Sequence, residues 1–156
     1  MAHEIDINEV STCICRRARR TARRLTVIYD RALAPSGVTA NQFDILANLF
    51  AASLGRPKSL TIGQLAERLG MHPTTLTRDL RPMFARGWVA EPAEKPDRRT
   101  RPVTIAPAGF RALRDAVPLW RTAQLGVRGA LGADASAALT ASLDLVLEIP
   151  IDTHRA

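Results

Sequence analysis

The chain has only two cysteines, three histidines and two lysines in 156 residues. Cys13 and Cys15 are too close in sequence to brace a fold. Neither a disulfide framework nor a secretory leader is legible, so a reducing, cytoplasmic setting is expected. His3, His72 and His154 show no ligand spacing, which gives no metal site to expect. No apolar run approaches the ~20 residues that cross a bilayer, so no membrane partner is expected. A glycine-rich phosphate loop, a nucleophile elbow and carboxylates paired in an apolar setting are also missing. Neither catalysis nor a cofactor is therefore expected.

Arginine, by contrast, is abundant. Lys and Arg total 22 against 15 Asp and Glu, a formal net charge of +7. Polyanions are the natural partners of such a surface. Arginine offers a planar fork of donors that suits phosphate and guanine edges, whereas lysine is closer to a point charge. A GC-rich gene produces the same bias, so composition alone does not decide for nucleic acid. The length fits one ordinary domain with a packed core.

Over 9–34 the apolar residues Ile14, Ala18, Ala22, Leu25, Tyr29 and Leu33 recur every three or four positions, which predicts one long first helix. Arg16, Arg17, Arg19, Arg20, Arg23 and Arg24 fill its other faces, and Pro35, Ser36 and Gly37 break it. Thr39 is placed to cap a second helix with a stripe of Phe43, Leu46, Ala47 and Phe50, followed by a loop over 53–59. Thr61 caps a third helix in which Ile62, Leu65, Ala66 and Leu69 share a face, and Gly70 stops it. Pro73 suits the first turn of a fourth helix, whose inner stripe is Leu76, Leu80 and Phe84, with Met83 as a further candidate. Pro82 predicts a kink after Arg78 in that helix. Residues 88–90 and 103–105 read as short strands around the polar, proline-rich EPAEKPDRRTRP. Phe110, Leu113, Val117, Trp120 and Leu125 return to helical spacing with a bend at Pro118. A last helix over about 134–149 uses Leu139, Leu143, Val146 and Leu147.

In LTIGQLAERLGMHPTTLTRDL, small Ala66 stands at a helix crossing, Gly70 makes the turn, and Leu76 and Leu80 hold the second helix on the first. This is the helix-turn-helix pattern. Thr74, Thr75, Thr77, Arg78 and Arg81 lie off the buried stripe, where a recognition helix meets a major groove. A glycine turn between helices occurs in many folds, and outer Thr and Arg also suit a merely solvated face. The wing narrows the choice. A basic hairpin loop with Asp97, Arg98, Arg99 and Arg101 is what winged domains set against the minor groove, where narrow A·T tracts attract arginine.

At this point the chain resembles the MarR family along nearly its whole length. YDRALAPSGVTANQFDIL at 29–46 is similar to the family's junction between its first two helices, and GQLAERLGMHPTTLTRDL to its reading head. RGWV at 86–89 resembles the exit into the wing, DRR at 97–99 the wing tip, and TIAPAG at 104–109 the return strand. The resemblance implies a homodimer joined through its first and last helices. It implies a repressor of double-stranded DNA, released by a small phenolic or lipophilic ligand or by oxidation. By the family pattern Asp97 braces the wing and Arg99 enters the minor groove.

The expected fold is mainly α, a winged helix-turn-helix with a two- to three-stranded β wing. A DNA-binding part spans 39–106, and both chain ends, 9–34 and 108–150, supply a helical dimerisation part. A pocket for a small aromatic or lipophilic effector is expected where the two parts meet, with Trp120 as a candidate wall or a core residue. Trp88 is expected to pack at the wing root. His72 can touch a phosphate or simply be tolerated in its turn. Cys13 and Cys15 are candidate sensor thiols beside Arg16 and Arg17, or ordinary helix residues. Two positions apart on a helix point about 200° from each other, so both thiols face one metal only if the helix end frays or the partner subunit contributes. Two other classes stay open: a winged protein-interaction module that reads no DNA, and a thiol-based redox or metal sensor.

Overall fold

The computed structural model describes residues 7–56, 58–92 and 101–150, so the expectations for Asp97, Arg98 and Arg99 lie outside the described residues. Among the described residues the order is α1 (Ile7–Ser11), α2 (Ile14–Leu33), a 3-10 turn (Ala34–Ser36), α3 (Ala40–Ser53), β1 (Leu60–Thr61), α4 (Ile62–Arg68), α5 (Pro73–Ala85), β2 (Val89–Ala90), β3 (Pro102–Ile105), α6 (Pro107–Leu131) and α7 (Ala133–Leu147). The strands form one antiparallel sheet with β3 in the middle. Leu60 pairs with Val103 on one side of it and Val89 with Ile105 on the other.

The chain packs as two units, Met1–Trp120 and Arg121–Ala156. The first holds the core, in which Leu33, Ile45, Leu46, Leu49, Leu65, Leu76, Leu80, Met83 and Val103 are fully buried. α3 is its centre, because it packs against α2, α4, α5 and β3. A helix so enclosed needs apolar residues on more than one face. This corrects the narrow stripe expected from spacing: Ile45 and Leu49 join Phe43 and Leu46 inside, while Phe50 is only half-buried.

The start of α3 is doubly capped. Thr39 accepts from the Gln42 N–H and Gln42 returns the bond, and Asp30 Oδ1 accepts from the Ala40 N–H at 2.7 Å. Gly109 is required for a different reason. A Cβ there would overlap the Trp88 carbonyl, so only glycine lets α6 start against the wing root. The Ala106 N–H completes that junction by donating to the same carbonyl at 3.0 Å.

Two further expectations are corrected. The long first helix is two helices, with Cys13 in a non-helical conformation (φ −55°, ψ 119°) between them. Ser11 Oγ donates to the Asn8 carbonyl at 2.7 Å, and such back-bonding in a run of Val, Ser and Thr competes with helix continuation. In α5 the buried stripe is Leu76, Leu80 and Met83, and Phe84, one position further round, is 39% exposed. α5 continues through Pro82 and α6 through Pro118. In the second unit only Ala123 is buried among the described residues, and the stripe Leu139, Leu143, Val146 and Leu147 is exposed.

Candidate nucleic-acid interface

The helix-turn-helix is α4 and α5. Thr61 accepts from the Gln64 N–H at 3.2 Å while Gln64 Oε1 accepts from the Thr61 N–H at 2.9 Å, a capping box that fixes where α4 begins. Gly70, at φ +60°, ends it in the left-handed conformation, and the Met71 N–H donates to the Ala66 carbonyl at 2.8 Å. His72 then caps α5, its Nδ1 accepting from the Thr74 N–H at 3.3 Å, with Pro73 in the first turn. Sequence spacing left His72 without this role, because histidine is an uncommon cap and only geometry exposes it.

Burial of Leu76, Leu80 and Met83 fixes the rotation of α5 about its axis. Thr74, Thr77, Arg78 and Arg81 are consequently exposed, and with Pro73 they line one shallow depression on its outer face. Thr75 is half-buried and stands apart from it. Thr77 Oγ1 spends its hydrogen on the Pro73 carbonyl at 2.9 Å, which leaves the oxygen as an acceptor on the outer face. The Arg78 side chain is 80% exposed and only loosely paired with Asp79 at 3.8 Å. Its guanidinium is free to take a stronger acceptor.

Arg101 joins this group. With Arg81, Thr77, Phe84 and Glu91 it lines a groove of about 240 Å³ between α5 and β3. The Arg101 carbonyl accepts from the Ile62 N–H at 3.3 Å, which ties the wing root to the start of α4. Arg86, at the exit into the wing, has a role that spacing does not show. Its Nη1 donates to the Gly37 carbonyl at 2.9 Å and its guanidinium lies 4.7 Å from the Trp88 ring centroid. It thus clamps the end of α5 to the turn before α3.

A third concavity, of about 210 Å³, lies between α2 and α3. Tyr29, Phe43 and Trp120 supply aromatic walls, and Asp44 and Asn41 supply polar atoms. Trp120 is both wall and packing, because it stacks on Phe43 with centroids 5.6 Å apart and planes 12° from parallel. The Asp44 side chain reaches solvent at the mouth, yet the protein around it desolvates the carboxyl and raises its pKa above the ordinary carboxylate value.

Both cysteines are exposed. Cys13 precedes α2 and only Cys15 lies within it, so the opposed helical directions expected of the pair do not apply. Among the described residues no group of three or more His, Cys, Asp or Glu could hold a metal ion. No single helix among them is long and apolar enough to cross a membrane.

The model of the MarR family matches residues 36–100. The M. tuberculosis transcriptional regulator MosR, solved in complex with DNA, is 39% identical, with 87% of this chain and 96% of that chain covered and a TM-score of 0.72. A mutant of MarR from E. coli complexed with operator DNA shares the fold at 23% identity, covering 94% of this chain and all of that one, with a TM-score of 0.78. The transcriptional repressor CouR bound to p-coumaroyl-CoA does so at 22% identity over the same shares, with a TM-score of 0.77. No curated protein sequence matches the chain.

Proposed function

This chain belongs to the MarR family, and from that premise we propose that it is a cytoplasmic transcriptional repressor. In this reading a homodimer grips a palindromic duplex operator and is released by a small ligand or an oxidant. The observation that carries it is the outer face of α5, where Thr74, Thr77, Arg78 and Arg81 stand exposed on a helix whose rotation is set by three buried side chains. Hydroxyls and guanidiniums are the groups that hydrogen-bond base edges and phosphates. Arg101, beside Arg81, extends the same surface toward the wing, and Arg98 and Arg99 act at the wing tip with Asp97 as brace. A protein-interaction module would favour acidic or apolar residues on that helix face, whereas the depression on it is lined by Pro73, Thr74, Thr77, Arg78 and Arg81.

Self-association is supported by the second unit. Leu125, Leu145, Leu147 and Ile149 are each more than 60% exposed there, and helices with such faces bury them against a partner. The α2–α3 cavity is the effector pocket of this reading. The oxidant branch is supported by the break before α2, which leaves Cys13 outside the helix and exposed close to Cys15. No catalytic role is proposed.

Selection from a pool of random duplexes tests the reading. Repeated capture by the purified protein should enrich one palindrome with half-sites about one helical turn apart. Failure to enrich any sequence, with a folded dimer, would overturn it. Loss of peroxide-induced release when Cys13→Ser and Cys15→Ser are combined would assign the oxidant branch to these thiols. Release retained in the double variant would remove it from them.

A further inference from the structure

The α2–α3 cavity has a composition that identifies the class of its ligand, an inference that rests on the effector reading above. The chain contains seven aromatic residues, two Trp, one Tyr and four Phe. Three of them, Tyr29, Phe43 and Trp120, line this one cavity. The only ionisable acid in its lining is Asp44, and no arginine, lysine or histidine contributes, although α2 beside it carries seven arginines. An anionic ligand would find no counter-ion here and would meet a carboxylate. A cation would find both of the groups that recognise it. Aromatic faces attract ammonium ions through the ring quadrupole, and several rings around one site are the usual means of holding quaternary ammonium groups. The carboxylate adds a Coulomb attraction that strengthens as water is excluded.

Size narrows the class further. A cavity of ~150 Å³ holds one benzene molecule, so about 210 Å³ accommodates a single ring bearing a small ammonium group. We propose that this cavity is an organic-ammonium site, taking an amine or quaternary ammonium compound with one ring, its positive charge paired with Asp44 and set against the aromatic lining of Tyr29, Phe43 and Trp120. The desolvation that Asp44 now suffers in its charged form is offset when a cation sits beside it.

Calorimetric titration of the full-length protein with three probes of similar shape tests the assignment: benzyltrimethylammonium, benzyl alcohol and phenylacetate. The cation should bind at least tenfold more tightly than phenylacetate and should displace the protein from its selected operator. Asp44→Asn should erase most of that preference while leaving benzyl alcohol binding unchanged, in a protein whose circular dichroism matches wild type. Phenylacetate binding as tightly as the cation overturns the ammonium assignment and leaves the effector reading standing. No binding by any of the three probes overturns both. A cation preference that survives intact in Asp44→Asn removes Asp44 as the counter-ion and overturns the site as drawn.

Discussion

Single side chains at the outer face of α5 set the sharpest tests. Arg78→Ala or Arg81→Ala should each weaken operator binding by roughly 1–3 kcal/mol if the side chain reads a guanine edge, with preference relaxed at one base pair. Titration against a panel of single-base operator variants separates this from phosphate contact, which would weaken every sequence alike. Asp44 makes a different prediction, on stability. Its folded pKa is raised, so the folded state holds the proton more tightly than the unfolded chain. The group therefore destabilises the fold above its folded pKa, and the penalty fades as pH falls through that value toward the ordinary carboxylate range. Asp44→Asn should raise the melting temperature at pH 7 and leave it nearly unchanged at about pH 3, which paired thermal scans will show. The roles of Thr74, Thr77, Arg78 and Arg81 as exposed positions were legible because Leu76 and Leu80 already fix one side of the helix. Thr75 is half-buried beside that stripe, so it offers less of its surface than the other four. Asp30 and Arg86 were not legible, because their partners lie ten and 49 residues away along the chain.

At the level of elements, the order of helices and strands was readable because caps and breakers mark almost every boundary. Thr39 and Thr61 cap where spacing put them, and Gly70 and Gly87 close their helices at positive φ. The first helix was read as one because its apolar spacing is indifferent to the local competition of Ser11 with the backbone. Phe84 was read as buried because a stripe at i, i+4 and i+8 is as good a helical pattern as i, i+4 and i+7. Only the packing of Met83 chooses between them. β1, Leu60–Thr61, is too short to carry a period, and it exists because β3 offers it an edge. For the wing, Arg99→Ala should lower operator affinity and reduce the salt slope of binding by about one. Asp97→Ala should also weaken binding although it removes a negative charge, because an unbraced loop loses more freedom when it docks. Titrations at several salt concentrations decide, and tighter binding by the Asp97 variant would overturn the bracing role.

For the molecule as a whole, charge and apolar surface are unevenly spread. α2 carries seven arginines and one acid, Asp30, in a chain whose total surplus is seven. Apolar side chains are exposed along α7, where Leu143 and Leu147 are 49% and 83% exposed. Burying such a leucine is worth roughly 1.5–3 kcal/mol, so Leu143→Glu with Leu147→Glu should convert a dimer to a monomer in light scattering at micromolar concentration. A wild-type monomer under the same conditions would remove the dimer from the proposal. α6 has a part in both halves of the function proposed. Gly109, seated against the Trp88 carbonyl, and Trp120, stacked on Phe43, lie on this one helix about 16 Å apart, with Pro118 removing a backbone hydrogen bond between them. Whatever lodges beside Trp120 therefore presses on the same rod that abuts the wing root. Such coupling runs equally in both directions: a compound that loosens the operator thirtyfold must itself be loosened thirtyfold by the operator, on the order of 2 kcal/mol either way.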